Sequence, residues 1–536
     1  MELLTPQQIW KGYDPSALPL CASILADREA EGRRVVTAYF NGPTTTDGVV
    51  RVFVRCTLPA GKGRYPAVVF MPDVGHSAEA DVEWLADNGY AVIVPDYAGV
   101  RDDSPEYTIY PRSLSAANYT PERLSEYPGD MRFNCWSVWA EVGMRTLSYA
   151  ASLDFVDGSR LAVMGEGVAS AAALKAAALD KRLSCAITLY SSGMCEERSD
   201  DPNFLMYKVA LADAAYAPMV NVPLLMMIAS NDADGKADEM SAVYSLIPEQ
   251  SGSRLSVSER TNRAIGVKQR ADVGLWLDKY LLGRGEVPAE PELTASASER
   301  RLYYNVKSDP SCETELFVSR GTDDPALRNW SRIKLMVVGD GEYIAPVDVY
   351  DAKKHIYAFV NSRSSEGLSV SSPVLEKLPA LLGIDETPLT DSRLIYDGDM
   401  GTDDWSEEAS MTAADTLSVK EGPFGISGVT SGAGALATYK LGDPAFSGKE
   451  GYLLQIMIYS PEAQTVTFTV AAAAAGRGYA EFSCSVNLEP GDNWRKLTLE
   501  ASDFKSPYGV CGGWEDVFGM RIMSVSPVIV ASMLWV

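Results

Sequence analysis

Short, continuous apolar runs recur along residues 1 to about 285, and helical patterns separate them. Strands that are apolar without alternation are typical of strands buried on both faces of a parallel sheet. The clearest runs are residues 67–71, 91–95, 160–164, 186–190 and 223–229. Helices are predicted over residues 78–88, 136–153 and 273–282. Alternation of strands and helices at these lengths predicts a doubly wound α/β sheet.

A linker of Pro, Ala and Glu begins at Pro288. Beyond it, apolar and polar residues alternate with a period of two residues, as in β-strands. Short alternating strands at residues 315–319, 333–338 and 356–360 predict a small β-sandwich. Evenly spaced strands and Gly-rich turns between about 390 and 536 predict a second, jelly-roll sandwich. We therefore predict an α/β domain over residues 1–287, followed by two all-β sandwich domains over 288–388 and 389–536.

The turn after the strand at residues 160–164 has an unusual centre. The run Leu161-Ala-Val-Met-Gly-Glu-Gly-Val-Ala169 reads as a buried strand, a sharp turn and the start of an Ala-rich helix. In this context α/β-hydrolases place the nucleophile of a G-x-S-x-G elbow. The central position here is Gly167, which has no side chain that can attack a substrate. Glycine also adopts the backbone conformation of such a turn without Cβ strain, so the turn is relaxed.

Residues 60–285 resemble the dienelactone-hydrolase and acetyl-xylan-esterase branch of the α/β-hydrolases. The stretches that carry the resemblance are residues 65–76, 88–97, 156–165, 223–232 and 275–281. The resemblance implies an α/β-hydrolase sheet, and it implies a triad in the chain order nucleophile, acid, histidine. It does not settle activity, because a fold hosts many functions.

The resemblance assigns the three triad positions to Gly167, Asp232 and Arg263. The whole chain has two histidines, His76 and His355, and neither follows Asp232 within the first domain. The ordinary triad therefore cannot be assembled. Asp232 is either a relic acid or the partner of Arg263 in an ion pair that replaces the former acid–base couple.

Two further residues near the predicted cleft have alternative interpretations. His76 lies on the loop where the family builds its oxyanion hole. It is either a substrate contact or base, acting with Ser77 or Ser170, or a loop histidine bonded to backbone. Glu166 either points into the cleft or is a surface or helix-start carboxylate that the helix dipole favours.

The segment that contains Tyr107 and Tyr110 is rich in aromatic residues, and Trp136 and Trp139 follow it. Such rings either line a sugar-binding cleft or pack a cap and the following helix. Tyr107 and Tyr110 are therefore candidate binding residues.

The last domain resembles carbohydrate-binding jelly rolls, on the stretches at residues 397–405 and 493–504. If exposed, Trp405, Tyr508 or Trp514 can stack on sugar rings; a structural role is the alternative for each. Four carboxylates crowd one short loop and form either a weak Ca²⁺ site or a solvated acidic turn. These carboxylates are Asp397, Asp399, Asp403 and Asp404.

Composition excludes several classes of partner. The net charge of −25 disfavours nucleic acid, and no apolar run approaches membrane-spanning length. The eight cysteines are scattered without a CxxC pair, which favours reduced core thiols over zinc or redox chemistry. Residues 1–6 lack the features of a secretory signal, so we expect a cytoplasmic protein, or a secreted one if this is a mature form.

Together these features predict a catalytically degenerate α/β-hydrolase that binds carbohydrate or a small acylated ligand without Ser-His-Asp hydrolysis. No cofactor is expected apart from the structural Ca²⁺ just considered. Two alternatives remain, an active carbohydrate esterase with a rearranged site and a structural scaffold. The oligomeric state is not indicated.

Overall fold

The computed structural model of the 536-residue chain describes most of its length. The described residues are 3–30, 32–45, 47–74, 78–99, 106–114, 131–190, 202–263, 265–389, 392–406, 415–474, 478–507 and 509–536.

The first unit is built on a mixed sheet whose centre is parallel. Its strands are β1 (Ser23–Ala30), β2 (Arg33–Thr45), β3 (Gly48–Leu58), β4 (Tyr65–Met71), β5 (Ala91–Pro95), β6 (Val156–Glu166), β7 (Leu183–Leu189), β8 (Leu224–Ala229) and β9 (Arg254–Ser258). They lie in the order β1-β2-β3-β5-β4-β6-β7-β8-β9. The strands from β5 to β9 run parallel, whereas β1, β2 and β3 join antiparallel. Strand order reverses beside β4, so loops at the carboxyl ends of β4 and β6 meet there.

Helices cover both faces of this sheet. They are α1 (Pro6–Ile9), α2 (Glu79–Asp87), α3 (Cys135–Ala151), α4 (Ser170–Leu179), α5 (Pro202–Ala210), α6 (Asp213–Tyr216), α7 (Ala237–Tyr244) and α8 (Val267–Leu277), which continues as a π-helix (Asp278–Leu282). Apolar residues of α3, α4, α6 and α7 pack in one core, and those of α2 and α8 pack in the other. Burial on both faces explains why β4 and β8 consist of almost uninterrupted apolar residues.

The middle unit is a β-sandwich that shares a sheet with the first unit. Its strands are β10 (Glu292–Ser298), β11 (Arg301–Lys307), β12 (Glu313–Ser319), β13 (Ser331–Ile333), β14 (Met336–Gly339), β15 (Glu342–Val347), β16 (Ile356–Arg363), β17 (Ser369–Ser371) and β18 (Leu375–Lys377). Ser371 of β17 pairs with Leu255 of β9, so the large sheet continues through β17, β16, β12 and β13. In β12, Leu316 faces the sandwich core, whereas the neighbouring Phe317 packs in the core of the first unit.

The last unit consists of two antiparallel sheets. Its strands are β19 (Leu394–Asp397), β20 (Leu417–Glu421), β21 (Ser427–Ser431), β22 (Ala435–Thr438), β23 (Leu454–Tyr459), β24 (Gln464–Ala474), β25 (Gly478–Leu488), β26 (Arg495–Leu499), β27 (Lys505–Ser506), β28 (Gly509–Val510), β29 (Val517–Met523) and β30 (Ile529–Trp535). One sheet has the order β20-β21-β30-β23-β26 with β19 on β30, and the other has the order β22-β29-β24-β25-β27-β28. The two sheets enclose a core of alternate apolar residues.

The predicted fold class is confirmed, since a doubly wound α/β sheet is followed by antiparallel all-β units. Three helices are found close to their predicted positions, as α2, α3 and α8 with its π-helical continuation. Within the described ranges no helix combines the length and apolar character that crossing a bilayer requires.

Candidate functional site

The turn between β6 and α4 has the backbone of a nucleophile elbow. Gly167 has a φ of +54°, in the left-handed region that glycine adopts without strain. A short 3₁₀ turn (Gly167–Ala169) follows and leads directly into α4. The Ser170 hydroxyl donates a hydrogen bond of 2.7 Å to the Gly167 carbonyl, and Ser170 is 2% exposed. Ser170 therefore does not present a nucleophile to the cleft.

The carboxylate of Asp73 lies where the side chain of residue 167 would stand. A Cβ placed on Gly167 would collide with the Asp73 carboxylate, whose Oδ1 atom would be 2.7 Å away. Asp73 follows β4, on the loop that faces the elbow across the reversal of strand order. The absence of a side chain at position 167 is therefore what makes room for this carboxylate.

Two backbone N–H groups hold the Asp73 carboxylate in this position. Oδ1 accepts hydrogen bonds from the N–H of Val168 at 3.1 Å and from the N–H of Val74 at 2.9 Å. In α/β-hydrolases the oxyanion hole is built from the N–H after the nucleophile and an N–H of this same loop. In this structure the Asp73 carboxylate accepts hydrogen bonds from the two N–H groups at the corresponding positions.

Buried groups surround the Asp73 loop. Glu166 is 0% exposed, and its Oε2 lies 3.5 Å from the N–H of Asp73. The interpretation of Glu166 as a surface carboxylate is therefore wrong, although the residue does stand directly before the start of the helical turn Gly167–Ala169. The Tyr97 hydroxyl donates to the Pro72 carbonyl at 2.7 Å. Burial, and then the nearby Asp73 and Glu166 carboxylates, raise the pKa of Tyr97 well above its usual value.

Asp232 and Arg263 form the ion pair that the sequence raised as one alternative, and this prediction is confirmed. The Arg263 Nε atom lies 3.0 Å from Oδ1 and 2.9 Å from Oδ2 of Asp232. Asp232 is 0% exposed, and its Oδ1 also accepts from the N–H groups of Asp234 and Gly235, each at 2.8 Å. The carboxylate is thus held by charge-assisted hydrogen bonds from several directions.

Arg263 is held as a permanent cation. Burial lowers the pKa of Arg263, but the carboxylates of Asp232, Asp234 and Asp73 outweigh it, and the net shift is upward. A guanidinium does not lose its proton in proteins, so this group cannot serve as a general base. The residue also has a φ of +58°, a conformation that a side chain other than glycine adopts at a cost.

The loop that carries Asp232 is fixed by the middle unit. The Asn231 amide donates to the carbonyls of Ala326 and Arg328 at 3.3 and 2.9 Å. Arg328 is itself fully buried and donates to both carboxylate oxygens of Asp238 at 2.6 and 2.7 Å. Its guanidinium stacks 3.3 Å from the ring centre of Tyr357. The acid position is therefore locked between two units.

The loop that carries Arg263 is contacted by the last unit on both sides. Arg260 lies 3.8 Å from the Asp403 carboxylate, and the N–H of Val267 donates to Asp415 at 2.7 Å. Asp415 thereby caps the N-terminus of α8, where a carboxylate is favoured by unpaired N–H groups. The last unit thus sits beside the site.

Trp405 and Trp514, considered for sugar stacking if exposed, are buried, so that alternative is wrong and the structural role holds for both. Trp405 and Trp514 are each 2% exposed and belong to the core of the last unit. Trp405 packs edge-on against Tyr396, and Trp514 packs against Trp535. Both rings fill the core between the two sheets of the last unit, which accounts for their burial. Tyr508 lies outside the described residues.

The acidic loop of the last unit does not gather into the Ca²⁺ site considered above. Asp397 accepts from the N–H of Asp399 and caps a short 3₁₀ turn. Asp403 pairs with Arg332 at 2.9 Å, and Asp404 pairs with Lys440 at 2.6 Å. In the part of the chain that the structure describes, no three potential ligands come together around one metal position. The carboxylates stabilise the loop instead.

The aromatic segment gives a mixed outcome. Tyr107 is half exposed, and its carbonyl accepts from the Tyr39 hydroxyl at 3.0 Å. The Tyr110 hydroxyl donates to the Tyr97 carbonyl, and its ring packs against the main core. Trp136 and Trp139 are core residues in edge-on contact. His76 and Ser77 lie outside the described residues.

Asp73 is the site residue that the sequence reasoning missed. It stands inside the stretch at residues 65–76 that carries the family resemblance, directly after the apolar strand. An acidic residue on the oxyanion-hole loop, together with a glycine at the elbow, is the available signal. Only the structure brings the two together, because they are separated by the whole of α3 and β6.

The strand order and the backbone of the elbow give the first unit an α/β-hydrolase-like fold. More narrowly, residues 53–250 match the family model of the dienelactone hydrolase family. No curated protein sequence gives a significant match to the chain.

Solved structures similar to the N-terminal half include several esterases. An acetyl xylan esterase from Paenibacillus sp. R4 is 17% identical, with 50% of this chain and 91% of that chain covered and a TM-score of 0.38. Acetyl xylan esterase 1 from Thermoanaerobacterium is 14% identical, with 45% and 82% covered and a TM-score of 0.35. A glucuronoyl esterase from Solibacter usitatus is 18% identical, with 46% and 83% covered and a TM-score of 0.34. Likeness at this level says nothing about activity.

Proposed function

We propose that this chain is a non-catalytic α/β-hydrolase protein that binds a carbohydrate or a small acylated ligand without hydrolysing it. The observation that carries the proposal is the Asp73 carboxylate, which fills the space at Gly167 and accepts the N–H of Val168. The residues at these positions leave ester hydrolysis without a nucleophile, a general base and a free oxyanion donor.

The nucleophile and the base are both missing at their family positions. Gly167 has no side chain, and Arg263 carries a cation that cannot accept a proton. Nucleophilic catalysis needs a hydroxyl or thiol next to a base that takes its proton. The Asp232 carboxylate orients a guanidinium here instead of an imidazole.

The electrostatics of the elbow also oppose the reaction. In an active enzyme, N–H donors stabilise the negative charge that develops on the substrate oxygen, and loss of one donor costs about 10²–10³ in rate. The donor of Val168 is already bonded to a carboxylate. A second negative charge at that position is repelled rather than stabilised.

The test is a hydrolysis assay of the purified full chain with 4-nitrophenyl acetate and with acetylated xylan. We expect no turnover above the rate in buffer. A rearranged active site would instead give turnover, and that activity would disappear in the His76→Ala or Asp73→Asn variant. Such a result would overturn the proposal and establish an active esterase. Failure of all carbohydrate and acylated probes to bind would favour the scaffold alternative.

A further inference from the structure

A cleft opens where the three units meet, beside the loops that carry Asp232 and Arg263. Its cavity volume is about 140 Å³, and the figure rises to about 600 Å³ when the space open to solvent is counted. One wall comes from the first and middle units, and the opposite wall is the outer face of the sheet that contains β22, β29, β24 and β25. The wall residues from the first and middle units are Asn231, Ala233, Asn262, Ala326 and Leu327.

The cleft wall formed by the sheet face, called the platform below, is built of small residues. Ala437 of β22, Ala471 of β24 and Gly519 of β29 line it. Ala471 pairs with Gly519, so these two positions lie side by side on the sheet. A Cβ on Gly519 would lie 2.7 Å from the Tyr439 ring, which therefore rests against this glycine. The result is a surface of small residues on which the Tyr439 ring packs at Gly519, while Ala471 remains partly exposed beside it.

Polar and aromatic groups surround this platform. Tyr479 and Glu481 project from β25, and Arg521 projects from β29. The Arg521 guanidinium donates to the Glu481 carboxylate at 2.9 Å, so the positive charge in the cleft is neutralised. Thr469 and the Asn262 amide add neutral hydrogen-bonding groups. The cleft thus offers rings, amides and hydroxyls with little net charge.

We propose that this cleft binds a neutral saccharide. A flat platform next to tyrosine rings accommodates the apolar face of a sugar ring, while amide, hydroxyl and paired charged groups meet its hydroxyls. Anionic ligands are disfavoured because Arg521 is already paired and the chain carries a net charge of −25. The site lies beside the loops that carry Asp232 and Arg263, and residues of all three units line it.

This inference rests on the proposed binding function but is tested separately from catalysis. The probes are ester-free xylohexaose, cellohexaose and mannohexaose, with a hexamer of galacturonic acid as the acidic probe. Because none of them contains an ester, binding is measured whether or not the chain hydrolyses esters. Calorimetric titration of the full chain should give saturable binding to at least one neutral hexasaccharide and none to the acidic one.

Two variants locate the binding in the cleft. Ala471→Trp fills the platform and Tyr479→Ala removes a ring, and each is expected to weaken binding by about tenfold or more. Thr465→Trp is the matched control, because it lies on the same face of β24, exposed and roughly 20 Å from Ala471. Its affinity should equal that of the wild type, and the melting temperature of each variant verifies folding.

Three results would overturn the inference. They are an absence of binding to all neutral probes, a preference for the acidic probe, and binding that persists at wild-type affinity in folded Ala471→Trp and Tyr479→Ala variants. An active esterase that still binds a neutral hexasaccharide in this cleft would refute the proposed lack of catalysis and leave the cleft assignment intact.

Discussion

The Asp73 carboxylate and the missing side chain at Gly167 are two parts of one arrangement. The carboxylate needs the space that glycine leaves, and the N–H groups of Val168 and Val74 hold it there. Replacing either residue alone should therefore lower the stability of the fold. A serine at 167 meets a carboxylate, and a small residue at 73 leaves two backbone donors without their acceptor.

Replacing Gly167 should therefore be costly in a way that depends on Asp73. In Gly167→Ser the left-handed backbone costs about 1–2 kcal/mol, and the collision with Asp73 adds about 1–3 kcal/mol. The second contribution should vanish in the Asp73→Ala background. Denaturant unfolding of the two single variants and the double variant gives this coupling energy.

Gly283→Ser is the matched control for backbone strain. Gly283 has a φ of +68°, and a Cβ built there meets nothing within 4 Å. Its replacement should cost only the backbone contribution and should be independent of residue 73. Equal costs at positions 167 and 283 would show that Asp73 does not occupy the space at the elbow.

The buried ion pair makes a second prediction at this scale. Arg263→Met leaves the fully buried Asp232 carboxylate without its cation, which is expected to cost about 3–5 kcal/mol of unfolding free energy. Adding Asp232→Asn removes the uncompensated charge and should recover a large part of that loss. Thermal and denaturant unfolding measure both. A cost for Arg263→Met below about 1 kcal/mol would contradict a buried pair.

At the residue scale the sequence indicated which residues occupy the motif positions, but not where their neighbours' side chains lie. A motif and the histidine count predicted that Gly167 and Arg263 stand at the nucleophile and base positions, and this assignment stays a prediction. The role of Asp73 was not predicted, because it depends on the conformation of a loop that no local pattern specifies. The sequence left two alternatives open for Trp405 and Trp514 because nothing in their neighbours distinguishes a core ring from an exposed one.

Among the elements, the junction of β9, β17 and α8 joins the first two units. Asp272 of α8 is buried there, and its carboxylate accepts from the Ser369 N–H at 2.9 Å and from the Ser256 hydroxyl at 3.1 Å. Burial raises the pKa of Asp272 to about 7, although Ser369, Arg363 and Ser256 act in the opposite direction. Glu259 contributes a further upward shift.

This raised pKa predicts a specific pH dependence. Between the ordinary pKa of 3.8 and about 7, the unfolded chain has released the proton of Asp272 while the folded chain retains it. Stability therefore falls as pH rises through this window and stays reduced above it. Asp272→Asn keeps an acceptor for Ser369 and has no proton to lose. Its melting temperature relative to wild type should be higher at pH 8 than at pH 5.

Comparing the wild type with Asp272→Asn cancels the pH dependence that other buried acids contribute to stability. Burial also raises the pKa of Glu141 to about 7, but that residue is present in both proteins. A difference in melting temperature that does not vary between pH 5 and pH 8 would show that Asp272 is ionised throughout this range.

At the element scale the apolar runs predicted the central strands well. Strands such as β4 and β8 are buried on both faces, so hydrophobicity alone identifies them. The continuation of the sheet from β9 into β17 was not predicted. It depends on the single pair Leu255 and Ser371, and Ser369–Ser371 has no hydrophobic pattern of its own.

In the whole molecule, the two β units contact the loops that carry the candidate site residues Asp232 and Arg263. Arg328 of the middle unit anchors the loop of Asp232 through Asp238, and Asp415 of the last unit caps α8 next to the loop of Arg263. The charged contact between Arg332 and Asp403 adds a further link. Sequence composition and hydrophobic periodicity were enough to predict three units. Their mutual contacts were not predicted, because they depend on pairs of loop residues far apart in the sequence.

The central claim is that the chain's own carboxylate takes the place of nucleophile and oxyanion in a hydrolase fold. The most direct measurement is the rate of 4-nitrophenyl acetate hydrolysis by the wild type, by Gly167→Ser/Arg263→His, and by the same pair with Asp73→Ala. We predict the rate in buffer for the first two and measurable turnover for the triple variant. Hydrolysis by the wild type, or equal rates with and without Asp73 in folded variants, would contradict the claim.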